Sequence, residues 1–423
     1  MNKKPGILHL LRPYLGIIIL LIVFTLFSNG INLLIPKIIS KSIDTFSAGK
    51  FLFKPVIFQF TLAVISIFVF SYLQSIIQTY ASERVARDLR TRLADKISKQ
   101  TYAFIEHANP SKLLTNLTAD VDSIKLFISQ AIASIISSLF IIIGASIFLI
   151  TINWKLALCI IAIIPVIGVT FFVVLRKVRA LFIQSRAVID WLNKVINESI
   201  LGAAIIRVVN SQQPEYNKFL EANTKAKDFG LSILRLFAGL IPVITFTANM
   251  GGLCILALGG HFVINGSMSL GNFAAFNSYL SMLIFPILVI GFMSNVIAQA
   301  TASYTRISTI IETPEPEETG TITKRLQGKI ELQDVNMLYG QAPVLTNISF
   351  TVEAGSKVAV IGPTAAGKTQ LLYLLTALMR PTSGSIKFDG EPVENYNSES
   401  FHRQVGFVFQ DSIIFNMSIR ENI

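Results

Sequence analysis

From Leu236 to Tyr304 the chain contains no Asp, Glu, Lys or Arg. Charge is scarce overall: 14% of the 423 residues are charged and 52% are hydrophobic, whereas a soluble domain carries about a quarter of its residues charged. The shortage is concentrated in runs. Runs of that length stay uncharged only where water is absent around most of them, so a soluble globular protein is excluded and an integral membrane protein is indicated. Cysteine is nearly absent as well. Cys159 and Cys254 both lie in apolar runs, which excludes a disulfide framework and leaves them as packing residues. Acidic residues are outnumbered, giving a net charge of +11. No aromatic-interleaved basic patch accompanies that excess, so no nucleic-acid partner is expected; basic residues of membrane proteins gather in cytoplasmic loops. The segment Met1 to Arg12 is short and basic, and no small-residue cleavage site follows it. It reads as the approach to a first span rather than a removable leader.

Crossing a bilayer as a helix takes ~20 mostly apolar residues. Six stretches qualify: Tyr14 to Leu34, Val56 to Ile76, Leu126 to Ile152, Leu156 to Leu175, Leu236 to Ile264 and Leu270 to Ala298. The last two are joined by the turn-forming Asn265-Gly266-Ser267-Met268-Ser269, and the third and fourth meet at Asn153-Trp154-Lys155. The segments after spans two and four are long. They hold eight and ten Lys or Arg, and the first thirteen residues add three; Lys37, Lys41, Lys50, Lys54 and Lys155 fall on the other side. Twenty-one against five predicts a cytoplasmic N-terminus, cytoplasmic long segments and a cytoplasmic C-terminal region.

Those long segments do not read as loops. Between Arg84 and Ile97 the apolar Val85, Leu89, Leu93 and Ile97 recur every fourth residue, the pattern of an amphipathic helix continuing out of span two. Asp88 and Asp95 share its polar face, which favours packing against other helices over lying on anionic lipid. Pro110 and Pro214 mark breaks near the far end of each excursion. Pro165, Pro242 and Pro286 fall inside spans four to six and are read as static kinks.

After the acidic, proline-bearing stretch Thr313 to Glu318 the composition becomes that of a soluble domain. Lys357-Val358-Ala359-Val360-Ile361 reads as a buried strand. It enters Gly362-Pro363-Thr364-Ala365-Ala366-Gly367-Lys368-Thr369, and a helical pattern from Leu371 to Leu378 follows. This is the phosphate-binding loop pattern in its strand-loop-helix setting. Curled backbone amides and a helix N-terminus attract phosphate oxygens. Lys368 neutralises the β- and γ-phosphates, and the Thr369 hydroxyl is suited to Mg²⁺. ATP and Mg²⁺ are the expected cofactors.

Six spans, two long excursions and this loop together resemble the ATP-binding-cassette (ABC) exporters, specifically the half-transporters that fuse a membrane domain to a nucleotide-binding domain. The resemblance implies an α-helical polytopic membrane domain of six spans (1–310), a linker (311–328) and the first part of an α/β nucleotide-binding domain (329–423). It assigns Tyr339, in Val335-Asn336-Met337-Leu338-Tyr339-Gly340, to stacking on adenine. It assigns Gln410, in Val405-Gly406-Phe407-Val408-Phe409-Gln410, to Mg²⁺ and the attacking water. Leu113 to Asp122 and Glu198 to Val209 resemble the cytoplasmic turns that dock on nucleotide domains. A second half-transporter subunit, membrane lipid and a hydrophobic or amphipathic substrate, lipid or drug-like, are the implied partners. A bacterial inner membrane is the implied location.

Two residues depart from the family pattern: Ala365 stands where glycine is usual, and Gln370 where a small hydroxyl residue is usual. Ala365 at positive φ would cost about 1 kcal/mol. Gln370 remains within the nucleotide-binding set. The sequence ends at Ile423, ahead of where the family carries its signature loop, Asp-Glu strand end and switch histidine. No catalytic carboxylate is therefore identifiable. Two expectations stand side by side: a subunit of an ATP-driven exporter, or a truncated product that inserts and binds ATP without hydrolysis or transport. Phe246, Phe273, Phe276, Tyr279 and Phe285 are candidates to line a substrate cavity, or equally to pack or face lipid.

Overall fold

The computed structural model describes residues 7–315, 320–340, 342–410 and 414–422, apart from the side chains of Leu8, His107 and Tyr339. The described chain forms two compact units: Met1–Asp88 with Asp120–Tyr304, and Leu89–Ala119 with Thr305–Ile423.

Six helical stretches are long and apolar enough to cross a membrane: Arg12–Ser47, Phe53–Ser98, Pro110–Ile152, Trp154–Leu201, Gln212–Ile264 and Leu270–Ile311. Each contains one expected span and most run well beyond it. Span one continues through Pro36 to Ser47, a proline and a stretch that the apolar run alone left outside. Span four breaks at Ala162, between helices ending at Ile161 and starting at Ile163. Pro165 explains the break, because its ring collides with the carbonyl four residues earlier. The amphipathic pattern after span two is helical, with Val85, Leu89 and Leu93 almost fully buried.

The first unit has a core of Leu33, Leu149, Leu156, Ile160, Ile255, Phe276 and Tyr279. Spans one and three pack closely there. A Cβ on Gly144 would overlap the Leu33 side chain, so the glycine sets how near the helices come. Asn153 ends span three and caps span four, its Oδ1 accepting from Lys155 N (3.1 Å) and Leu156 N (3.2 Å). Spans four and five lie along each other. The apolar side chains turned outward, Phe58, Phe68 and Phe172 among them, are each about two-thirds exposed, as befits a lipid-facing surface.

In the second unit, the first excursion carries helix α1 (Tyr102–Ala108), capped by the Thr101 hydroxyl accepting from Phe104 N. Asn109, at φ 64°, ends it, and Pro110 opens the next helix, the reversal its position predicts. At the corresponding place in the first unit, the second excursion turns through α2 (Ala203–Val208), and Pro214 enters the first turn of the following helix. The C-terminal part of the second unit holds an antiparallel sheet in the order β2-β1-β3-β4, built from β1 (Ile330–Tyr339), β2 (Ala342–Val352), β3 (Ser383–Phe388) and β4 (Glu391–Pro392). A bulge at Asp334, φ 48°, shifts the inward register of β1 from Leu332 to Val335 and Met337. These three pack with Leu345, Leu371, Leu374, Ile386, Phe388 and Phe401.

One expectation is corrected. Lys357 to Ile361 is not a strand and is not buried: Val358 is 60% and Ile361 91% exposed. A strand needs neighbours for its N–H and C=O groups, and among the described residues none pairs with this segment. The sheet present is antiparallel, while the parallel strand expected to lead into the glycine loop is not formed.

Candidate nucleotide-binding site

The glycine loop lies between that extended segment and helix α3 (Lys368–Leu375). Gly367 is the N-cap of α3, at φ 81° and ψ 11°. A Cβ there would come within 2.8 Å of a Leu345 methyl and 3.0 Å of the Val344 carbonyl. Glycine is thus required by both conformation and space. Gly362 is different: its φ is not positive, and an added Cβ would meet only the Ala366 methyl at 3.4 Å. Ala365 does take the left-handed conformation, at φ 65°, at a cost of about 1 kcal/mol.

The Lys368 amine closes over the loop, donating to Gly362 O (2.8 Å) and Pro363 O (2.7 Å). Among the described residues no carboxylate pairs with it. The first amides of α3 have no carbonyl four residues back within the helix, so Lys368, Thr369 and Gln370 supply donors at the positive end of its dipole. Val344, Ala365, Ala366, Gly367, Lys368, Thr369 and Gln370 line a cavity of about 290 Å³. Free amides, an ammonium held only by carbonyls, and an exposed Thr369 hydroxyl beside it fit a polyphosphate and its divalent cation.

Pro363 and Thr364 complete the loop without lining that cavity. Gln410 is exposed and outside the lining set. The Tyr339 side chain lies outside the described residues. Sequence reasoning missed Tyr373. This α3 residue meets Phe407 at 5.7 Å and Phe409 at 6.4 Å between ring centroids on the segment leading to Gln410, and Tyr102 of α1 at 5.3 Å. Its setting between leucine pairs made it look like one more core position.

A helical unit with six membrane-length stretches, followed by a glycine loop capping a helix, defines a membrane protein that binds nucleotide. Comparison with known families agrees. The model of the ABC transporter transmembrane region matches residues 18–287, and the ABC transporter model matches residues 345–422. The chain belongs to the ABC transporters, with both regions fused in one polypeptide. It is 28% identical over 421 residues to an uncharacterized ABC transporter ATP-binding protein of Bacillus subtilis, covering 98% of this chain and 74% of that one. It is 30% identical over 356 residues to the ATP-dependent lipid A-core flippase of Syntrophus aciditrophicus, covering 84% and 59%. A fatty acid ABC transporter ATP-binding/permease protein of Mycobacterium bovis is 28% identical over 341 residues, covering 79% and 53%. The chain thus spans between about half and three-quarters of the length of these relatives.

Proposed function

We infer that the chain is a subunit of an ATP-driven exporter of a hydrophobic or amphipathic substrate, with its N-terminus and nucleotide-binding region in the cytoplasm. The observation that carries this is the Lys368 amine resting on two loop carbonyls beside the first amides of α3. A polyphosphate offers that amine stronger, charged acceptors, drawing it off Gly362 and Pro363 onto the β- and γ-phosphates. Thr369 and Gln410 would hold Mg²⁺, and Tyr339 would stack on adenine. The cation supplies charge neutralisation when bound; the loop supplies orientation.

Tyr102 and Tyr373 give nucleotide capture a mechanical outlet, since α3 and the first excursion touch directly. The second excursion supports a dimer. At its tip Ile200, Leu201, Ile205, Val208 and Val209 are each more than 60% exposed. Five apolar side chains together on a water-facing turn call for a cover, and the nucleotide-binding region of a second subunit fits that place. Relatives named for lipid A-core and fatty acids support an amphiphile as cargo.

The test is labelled-ATP binding by the full chain in lipid nanodiscs. Wild type should bind, and Lys368→Ala should weaken binding at least tenfold, since contacts to charged groups are worth roughly 1.5–3 kcal/mol. Equal binding by both forms would overturn the reading.

A further inference from the structure

Spans one and three pack in a defined register toward the Asn153 end of span three. A Cβ on Gly30 would meet the Phe140 ring at 3.9 Å, Leu33 fills the space opposite Gly144, and the Lys37 amine lies 5.7 Å from the centroid of the Phe148 ring. Steps of three or four residues on each helix keep these contacts on one face. Lys37 is therefore level with Phe148, not in a loop beyond span one. Phe148 precedes the helix end at Asn153 by five residues, about 7 Å at 1.5 Å per residue. Trp154, 60% exposed just past that end, is of the type that marks the interface.

A lysine at that depth is costly unless it meets an anion or lines a polar cavity. Lys37 is exposed, and among the described residues no carboxylate pairs with it. The Phe148 ring offers only a cation–π attraction, which recovers part of the desolvation cost. The wall beneath is rigid. Phe148 stacks on Tyr279, with ring centroids 5.6 Å apart and planes 8° from parallel, and the Tyr279 hydroxyl donates to Leu33 O at 2.9 Å. Leu33 lies one turn before Lys37 on the same helix face. An exposed ammonium beside a fixed aromatic surface is the chemistry of a receptor for one charged end and one apolar body.

We propose that Lys37 binds the anionic head group, carboxylate or phosphate, of the amphiphile this protein carries, with the Phe148 ring, backed by the buried Tyr279, as the apolar wall of the site. The inference rests on the export reading above, which places Lys37 toward the outer leaflet.

The test uses the full chain in phosphatidylcholine nanodiscs, titrated with dansylaminoundecanoic acid and with its uncharged methyl ester. Wild type should bind the acid on the order of tenfold more tightly than the ester. Lys37→Gln should bring the acid down to the ester's affinity and leave the ester unchanged, and Lys37→Arg should restore the preference. A preference that survives Lys37→Gln, or equal binding of both probes by wild type, overturns the site while the export reading stands. Binding of neither probe overturns the amphiphile reading, and the site with it. With phosphatidylglycerol as a third of the bilayer, a site for cargo keeps its preference for the acid. Loss of that preference assigns Lys37 to bilayer lipid and overturns the proposal.

Discussion

Tyr373, on the helix that follows the glycine loop, meets Tyr102 of the first excursion edge to face, with ring centroids 5.3 Å apart and planes at 63°. Tyr102 also packs against the core beneath the sheet, so the two rings join the excursion to the helix that follows the glycine loop. Edge-to-face pairs are worth ~0.5–1.5 kcal/mol beyond the area they bury. In a double-mutant cycle of Tyr102→Leu and Tyr373→Leu, thermal unfolding should reveal a coupling of about 1 kcal/mol. Strictly additive losses would show that the rings act independently.

Ala365 and Gly367 both have positive φ, yet substitutions there should act in opposite directions. Ala365→Gly removes left-handed strain and should stabilise the nucleotide-binding unit by about 0.5–1 kcal/mol, less the entropy that glycine adds to the unfolded chain. A lowered melting temperature for Ala365→Gly would contradict the strain.

Gly367→Ala forces a Cβ onto Leu345 and the Val344 carbonyl and should cost at least ~1–2 kcal/mol. ATP binding in the nanodisc assay should fall with it, because the amides of α3 shift. Unchanged affinity would mean that the loop tolerates a different backbone.

Tyr396 tests the sheet side of the unit. Its hydroxyl donates to Phe388 O at 2.8 Å, and burial raises its pKa above the usual tyrosine value. Because the folded-state pKa is raised, this contribution is complete below the unfolded pKa of about 10 and is lost as pH rises through the folded value. Tyr396→Phe should cost about 1 kcal/mol near neutrality and should flatten the decline above pH ~10 seen for wild type. Parallel alkaline profiles for the two proteins would contradict the assignment.

Much of this was legible in the residues themselves. Six uncharged runs implied six membrane helices. The spacing of Val85, Leu89 and Leu93 implied the helical extension that carries them. Gly362 to Thr369 implied a loop capping a helix, and Gly367 shows why glycine is needed at its end. One reading went astray where a non-local partner decides. Lys357 to Ile361 has the composition of a buried strand, but β-structure exists only when another strand supplies the hydrogen bonds. Lys37 does lie beyond the apolar run Tyr14 to Leu34, but the run says nothing of what stands beside it. Only the register of spans one and three puts Lys37 beside the Phe148 ring.

The sequence by itself determined six membrane-length helices and a glycine loop ahead of a helix. Run length, charge and residue spacing are local properties that solvent and backbone geometry read directly. Tertiary structure alone decided that Tyr102 rests on Tyr373, that the second excursion leaves its apolar tip uncovered, and that Lys37 stands over Phe148. Each of these depends on contacts between residues far apart in the chain, whose energy comes from shape and burial and leaves no periodic trace in the sequence.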